Sequence, residues 1–207
     1  MRSYYFLHGQ AHDSFASSSS LPFPNLGLVL LFVLWLFSIY QLFFFSQKKH
    51  VFYAGAIYLA IPFTLIILIR FVYGWEYIAL LFLGNWSMDI FSYIFGMSLG
   101  KHKIASTLSP KKSWEGFIGG SIVSMICFLL FYYFLIPHSM TPTIWMLSLL
   151  LPIFSFFGDL FQSKLKRLAQ VKDSGHILQG HGGVWDRFDG LIFYVLGFGF
   201  YLLVVFP

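Results

Sequence analysis

Charge is scarce in this sequence. Asp, Glu, Lys and Arg make up only 10% of it, against roughly 25% in an ordinary soluble domain. With 58% of its 207 residues hydrophobic and Phe alone at 27 positions, the chain carries more apolar surface than a water-soluble fold of this size can hide. A water-soluble globule is therefore excluded. Cysteine is scarcer still. The single Cys127 excludes an internal disulfide and leaves the redox compartment unreadable. Set inside an apolar run, it reads as a small hydrophobe. The first 24 residues do not read as a cleavable leader either. Before the Ser17–Ser20 tract there is one basic residue, Arg2, and no compact apolar core. Residues 1–24 are expected to form a poorly structured tail. No internal repeat and no soluble domain is visible.

What is there is long apolar runs. A spanning helix needs about 20 mostly apolar residues, and six windows qualify: Leu26–Phe45, Val51–Phe71, Tyr77–Phe95, Phe117–Ile136, Thr143–Phe161 and Leu191–Phe206. The expected fold class is all-α, a polytopic integral membrane protein with about six transmembrane helices. The third and fifth windows contain acids, Asp89 and Asp159.

The loops between them are of two kinds, and they alternate. Gln47–His50, Met97–Gly116 and Gln162–Gly190 are basic, whereas Val72–Glu76 and Pro137–Pro142 are short and nearly uncharged. Of the 13 Lys and Arg residues, 11 fall in the first kind; only Arg2 and Arg70 lie elsewhere. The positive-inside rule then places the basic loops in the cytoplasm and both termini on the other side. Orientation needs cations but not acids. Yet six of the eight acids, Asp89, Glu115, Asp159, Asp173, Asp186 and Asp189, gather on the same face, which asks for a further reason.

Three stretches and one isolated acid offer it. If the fifth span continues helically, Asp159, Gln162, Ser163, Lys166 and Arg167 share one face. A carboxylate with a hydroxyl and two cations below it suits a metal-bound phosphate; a snorkelling, ion-paired helix end is the plainer alternative. Lys172–Gly190 holds five glycines, two histidines and three aspartates. Glycines let backbone N–H groups approach an anion, and Asp186 and Asp189 offer hard oxygen ligands suited to Mg²⁺. His176 and His181 lack the cysteine partners of a common zinc site. In Ser109–Gly120, Lys111 and Lys112 suit a phosphate or serve as topological anchors. Gly96/Gly100 and Gly116/Gly120 repeat the G-x-x-x-G spacing of close helix packing. Asp89 sits within a span, where an ionisable group marks a site or an interhelical hydrogen bond. Carboxylates for a divalent metal, cations for phosphates and a glycine-rich loop imply phosphoryl or nucleotidyl transfer. Their place at the membrane implies a lipid substrate.

The run from Ser163 to Asp189 resembles the pattern of phosphatidate cytidylyltransferases, S-x-x-K-R, four residues, K-D-x-G, then H-G-G-x-x-D-R-x-D. The matching residues are Ser163, Lys166, Arg167, Lys172, Asp173, Gly175, His181, Gly182, Gly183, Asp186, Arg187 and Asp189. G-K-H-K, S-P-K-K-S-W-E-G and Asp89 followed by Tyr93 are similar to the family too, so the resemblance covers roughly Val51–Pro207. It divides the chain into a tail (1–24), an extra span with its basic loop (25–50) and a cytidylyltransferase-like membrane domain (51–207).

The resemblance implies transfer of a cytidylyl group from CTP to phosphatidate (phosphatidic acid), giving CDP-diacylglycerol and pyrophosphate. Asp159 and Asp186 would ligand Mg²⁺ and a second cation. Ser163, Lys166, Arg167 and Lys172 would contact phosphates. Asp89, Tyr93, Ser109, Lys111, Lys112, Asp173, His181, Gly182, Gly183, Arg187 and Asp189 would complete substrate binding. The bilayer is a partner, nucleic acid is not, and a homodimer is compatible with the pattern. The implied location is a bacterial inner membrane with the active site facing the cytoplasm. Two departures stand out. Gln162 replaces the family's usual Glu, removing a negative charge expected beside the metal, and Gln179 replaces a Pro. Bacterial members typically carry further N-terminal spans, and residues 1–50 do not match clearly. The competing functions are a CTP-dependent relative, such as a polyprenol kinase or another CDP-lipid synthase, and a non-catalytic membrane homologue.

The charge split predicts sidedness. In intact cells, a cysteine placed by Ser174→Cys should label only from the cytoplasm and one placed by Met140→Cys only from outside. Labelling of both from one side would refute this topology.

Overall fold

The computed structural model describes residues 26–44, 48–105, 109–136, 142–171, 174–175 and 188–202. The described residues form six helices and one short hairpin: α1 (Leu26–Phe44), α2 (Lys48–Tyr73), α3 (Trp75–Ser98), β1 (Lys103–Ala105), β2 (Ser109–Ser113), α4 (Trp114–Leu135), α5 (Pro142–Leu168) and α6 (Asp189–Phe200). Four stretches among them are long and apolar enough to cross a membrane: Tyr53–Tyr73, Trp75–Ser98, Trp114–Leu135 and Pro142–Leu168. Val29–Leu42 and Asp189–Phe200 are apolar but shorter. The chain is an all-α polytopic membrane protein. The acid-containing third and fifth windows are both continuous helices. The expected tail, residues 1–24, lies outside the described residues.

Contacts divide the chain into two compact units, Met1–Trp75 with Gly199–Pro207, and Glu76–Phe198. In the first, Trp35 of α1 stacks on Tyr58 of α2 with ring centroids 5.7 Å apart. Its indole N–H donates to the Tyr58 carbonyl at 3.1 Å, so the one polar atom of a buried Trp is satisfied. The Tyr73 hydroxyl donates to the Leu202 carbonyl at 2.5 Å. Gly74 follows α2 with φ 100, a left-handed conformation that costs glycine little and lets the helix stop within one residue.

In the second unit, α4 shows how small and large residues are sorted. Along α4, Gly116, Gly120, Ser124, Phe128 and Tyr132 are buried, while Ile118, Ile122, Ile126 and Leu130 are exposed. Both sets recur every four residues: the inward face is small at its start (Gly116, Gly120, Ser124) and aromatic further on (Phe128, Tyr132), and the opposite face is aliphatic and outward. Lipid is as apolar as isoleucine and gives no reason to bury it; small residues instead let backbones approach. A Cβ on Gly120 would lie 2.7 Å from the Ser92 backbone nitrogen, and one on Gly116 would lie 2.9 Å from the Gly96 Cα. The two G-x-x-x-G signals thus meet, α3 against α4. Gly158 holds α5 equally close to α6, since its Cβ would lie 3.0 Å from the Asp189 carbonyl oxygen and 3.1 Å from that of Gly190.

The basic Met97–Gly116 loop contains more order than the sequence indicates. β1 and β2 pair antiparallel, with Lys103 opposite Ser113, Ala105 opposite Ser109 and an irregularity between. Each strand of such a hairpin keeps one unpaired edge, which is where a strand tolerates a proline such as Pro110. Ser113 then caps α4, its hydroxyl accepting from the Gly116 N–H at 3.2 Å. Glu115 ties the loop down. Its carboxylate accepts from the backbone N–H groups of Lys101 at 3.1 Å and His102 at 3.2 Å, and lies 2.6 Å from His102 Nδ1.

The glycine contacts predict a contrast. Gly120→Ala must push backbone against backbone, whereas a Cβ on Gly55 of α2 meets nothing within 4 Å. Thermal unfolding in detergent should show Gly120→Ala destabilised by about 1–3 kcal/mol and Gly55→Ala unchanged or slightly stabilised. Equal midpoints would contradict the close α3–α4 contact.

Candidate functional site

The site lies in the second unit, where α3, β2, α4, α5 and the start of α6 enclose a cavity of about 510 Å³. Helix geometry delivers its carboxylates. Asp89 lies nine residues before the end of α3 and Asp159 nine before the end of α5, about 13 Å at 1.5 Å per residue. Asp189 is the first residue of α6. All three line the cavity, and Asp189 feels the charge of both others. Opposing them is Lys112 of β2. Its ammonium pairs with the Asp159 carboxylate and sits 5.0 Å from the Phe156 ring centroid, in cation–π range. Tyr93, Ser92, Ser109 and Ser113 add hydroxyls to the lining, and Trp86, Ile90, Phe117 and Phe156 add apolar walls.

Of the residues singled out from sequence, the structure gathers Asp89, Tyr93, Ser109, Lys112, Asp159 and Asp189 around this one cavity. Ser163, Lys166 and Arg167 do not line it. They lie on the continuation of α5, which runs helically to Leu168 as the shared-face reading required. Lys166 still acts electrostatically on Asp189. Arg167 Nη1 donates to the Val171 carbonyl at 3.3 Å. The α5 terminus closes with Val171 N–H on the Lys166 carbonyl at 2.9 Å and Gln170 in the left-handed region at φ 57. The backbone of Lys111 belongs to β2. Lys172, Asp173, His181, Gly182, Gly183, Asp186 and Arg187 lie outside the described residues. Gln162, expected beside the cation, is 1% exposed and is not among the residues lining this cavity.

Sequence reasoning missed two residues. Asn85 and Ser155 are buried, and Ser155 Oγ donates to Asn85 Oδ1 at 3.0 Å while Asn85 Nδ2 donates to Asp89 Oδ2 at 3.2 Å. The available signal was their spacing: each lies four residues before a spanning aspartate, on the same helical face.

The family follows from comparison with known proteins. The sequence model of the cytidylyltransferase family matches residues 14–206. This chain belongs to that family. A phosphatidate cytidylyltransferase of Bacillus subtilis (strain 168) is 42% identical over 156 residues, covering 73% of this chain and 57% of the relative. The protein of the same name from Staphylococcus haemolyticus (strain JCSC1435) is 46% identical over 123 residues, 58% of this chain and 46% of the relative. That of Staphylococcus aureus (strain COL) is 45% identical with the same coverage. The chain thus spans about half the length of the curated relatives it matches.

Among the described residues of this cytidylyltransferase-family chain, no three His, Cys, Asp or Glu side chains are arranged to hold a metal by themselves. The donor set still fits Mg²⁺. That ion takes one or two carboxylates and completes its shell with water and substrate phosphates rather than a protein cage. Asp159 and Asp189, on one cavity wall with neighbouring charges, offer such a pair.

Proposed function

We propose that the chain transfers a cytidylyl group from CTP to phosphatidate, giving CDP-diacylglycerol and pyrophosphate. The observation that carries this reading is the convergence of Asp89, Asp159, Asp189 and Lys112 on one cavity of a membrane-spanning unit. Family membership and the names of the relatives support it. A phosphate oxygen of phosphatidate attacks the α-phosphorus of CTP, the bond from that phosphorus to the bridging oxygen breaks, and pyrophosphate departs with the electron pair. No covalent intermediate on the protein is needed.

Each side chain then has a task. Asp159 and Asp189, with Asp186 of the adjoining loop, would hold Mg²⁺ and a second cation. Bound there, the cations would offset the charge of the nucleotide phosphates. Lys112, on the hairpin held by Glu115, would contribute a positive charge to the same phosphates once a cation replaces it at Asp159. Ser163, Lys166, Arg167 and Lys172 would extend that positive surface. Trp86, Ile90 and Tyr93 are exposed on α3 at helical spacing and also border the cavity, so the acyl chains would lie along them while the headgroup reaches the carboxylates. Binding both phosphates in one enclosed space aligns the nucleophile. The bilayer is the partner that delivers the lipid. The basic loops point to a cytoplasmic active site in a bacterial inner membrane. Nothing in this reading requires the homodimer.

Purified protein in mixed micelles with Mg²⁺, phosphatidate and a polyprenol should transfer label from α-labelled CTP to phosphatidate; transfer of label from γ-labelled CTP to the polyprenol would contradict this reading. Asp159→Asn keeps size and one acceptor oxygen, so packing loss alone would be mild. Turnover should fall about 100-fold or more while the protein stays folded. Near-normal transfer by Asp159→Asn would remove that residue from the mechanism.

A further inference from the structure

The three carboxylates arrive on three different helices, and like charges brought together repel. Something must fix their spacing before any cation binds. Apolar packing between spans is not directional enough, since lipid competes equally for apolar faces. The structure holds a directional alternative one turn away. Asn85 lies four residues before Asp89 on α3, Ser155 four before Asp159 on α5, and Gly190 one after Asp189 on α6. These three neighbours meet at a point. Ser155 Oγ donates to Asn85 Oδ1 at 3.0 Å. A Cβ on Gly190 would lie 2.7 Å from Ser155 Oγ and 3.6 Å from Asn85 Oδ1, so α6 passes the pair at backbone contact. The junction then reaches two of the acids directly. Asn85 Nδ2 donates to Asp89 Oδ2 at 3.2 Å, and the Gly190 N–H donates to Asp189 Oδ1 at 2.9 Å.

The chemistry of the groups fixes the direction of this chain of bonds. An ionised Asp89 only accepts, so Asn85 must turn its NH₂ toward it. That leaves Oδ1 facing Ser155, which must donate. Asn85 is 1% and Ser155 2% exposed, so water does not compete for the bond between them, and breaking it leaves a buried polar atom behind.

We propose that Asn85 and Ser155 are positioning residues: with Gly190 they form a junction that sets the separation of Asp89, Asp159 and Asp189, and so the affinity of the site for a divalent cation. This rests on the cation role given above to Asp159 and Asp189; Asp89, the third acid on the cavity, is held at its distance from them by the same junction. Interhelical glue alone would need no bond that ends on a carboxylate.

The test reads cation binding without turnover. Mn²⁺ is titrated into the purified full chain in detergent, without nucleotide, and free Mn²⁺ is followed by its electron paramagnetic resonance signal. Ser155→Ala and Asn85→Ala should each weaken Mn²⁺ binding about tenfold, as expected for losing a bond in a chain that ends on a charged group. The double variant should be little worse than either, because one bond orients the other. Ser148→Ala is the control. Ser148 is a buried hydroxyl on the same helix whose bond goes to its own turn, to the Trp145 carbonyl at 2.7 Å. It should lose comparable thermal stability and keep wild-type Mn²⁺ affinity. Unchanged Mn²⁺ affinity in Ser155→Ala and Asn85→Ala would overturn the proposal, as would equal weakening in Ser148→Ala. If the unsubstituted chain binds no Mn²⁺, the cation role of the aspartates falls as well, and the junction proposal with it.

Discussion

Hydrocarbon offers no hydrogen bonds, and the second unit is organised around that constraint. A polar atom inside a span must find its partner within the protein. Buried hydroxyls of α3, α4 and α5 and the Asn85 amide therefore point at one another, at a carboxylate or at carbonyls. Ser124 donates to the Gly84 carbonyl at 3.2 Å, Ser87 to that of Leu83 at 2.6 Å, and Ser155 to Asn85. On α4 the aliphatic residues Ile118, Ile122, Ile126 and Leu130 turn outward, where lipid takes them. Polarity accumulates inside the unit because it cannot be solvated outside it, and a cavity lined by charge becomes tolerable there.

Close approach makes that interior usable. Gly96, Gly116 and Gly120 bring α3 against α4, and Gly158 and Gly190 bring α5 against α6. The aspartates, each near one of these contacts, consequently share a cavity. The hairpin adds the opposite charge from a different direction. Ser113 starts α4, Glu115 holds the preceding turn, and Lys112 projects between them to Asp159. Folding, packing and chemistry thus depend on the same few positions.

Much of this was legible in the sequence, for stated reasons. Apolar runs marked the helices, and Asp89 and Asp159 stood out because an acid in a span is costly. Asp189 and Lys112 belonged to motifs with fixed spacing. Asn85 and Ser155 were not noticed because an amide or a hydroxyl in an apolar run is common, and their meaning appears only when two helices are brought together. The hairpin was hidden as well: S-P-K-K-S has no alternating apolar pattern, and tertiary anchoring by Glu115 rather than propensity orders it. The burial of Gln162 is not readable from its spacing to Asp159, because a face shared on one helix does not say how deeply the neighbouring helices cover it.

Asp89 and Asp159, 70 residues apart in sequence, face one cavity. In a Cys127→Ser background, Asp89→Cys and Asp159→Cys can be joined by a short bifunctional thiol reagent, with a protease site placed within residues 137–141. After cleavage the two fragments should stay linked when both cysteines are present and separate when either is missing. Separation in the double variant, with each cysteine still labelling singly, would contradict the shared cavity.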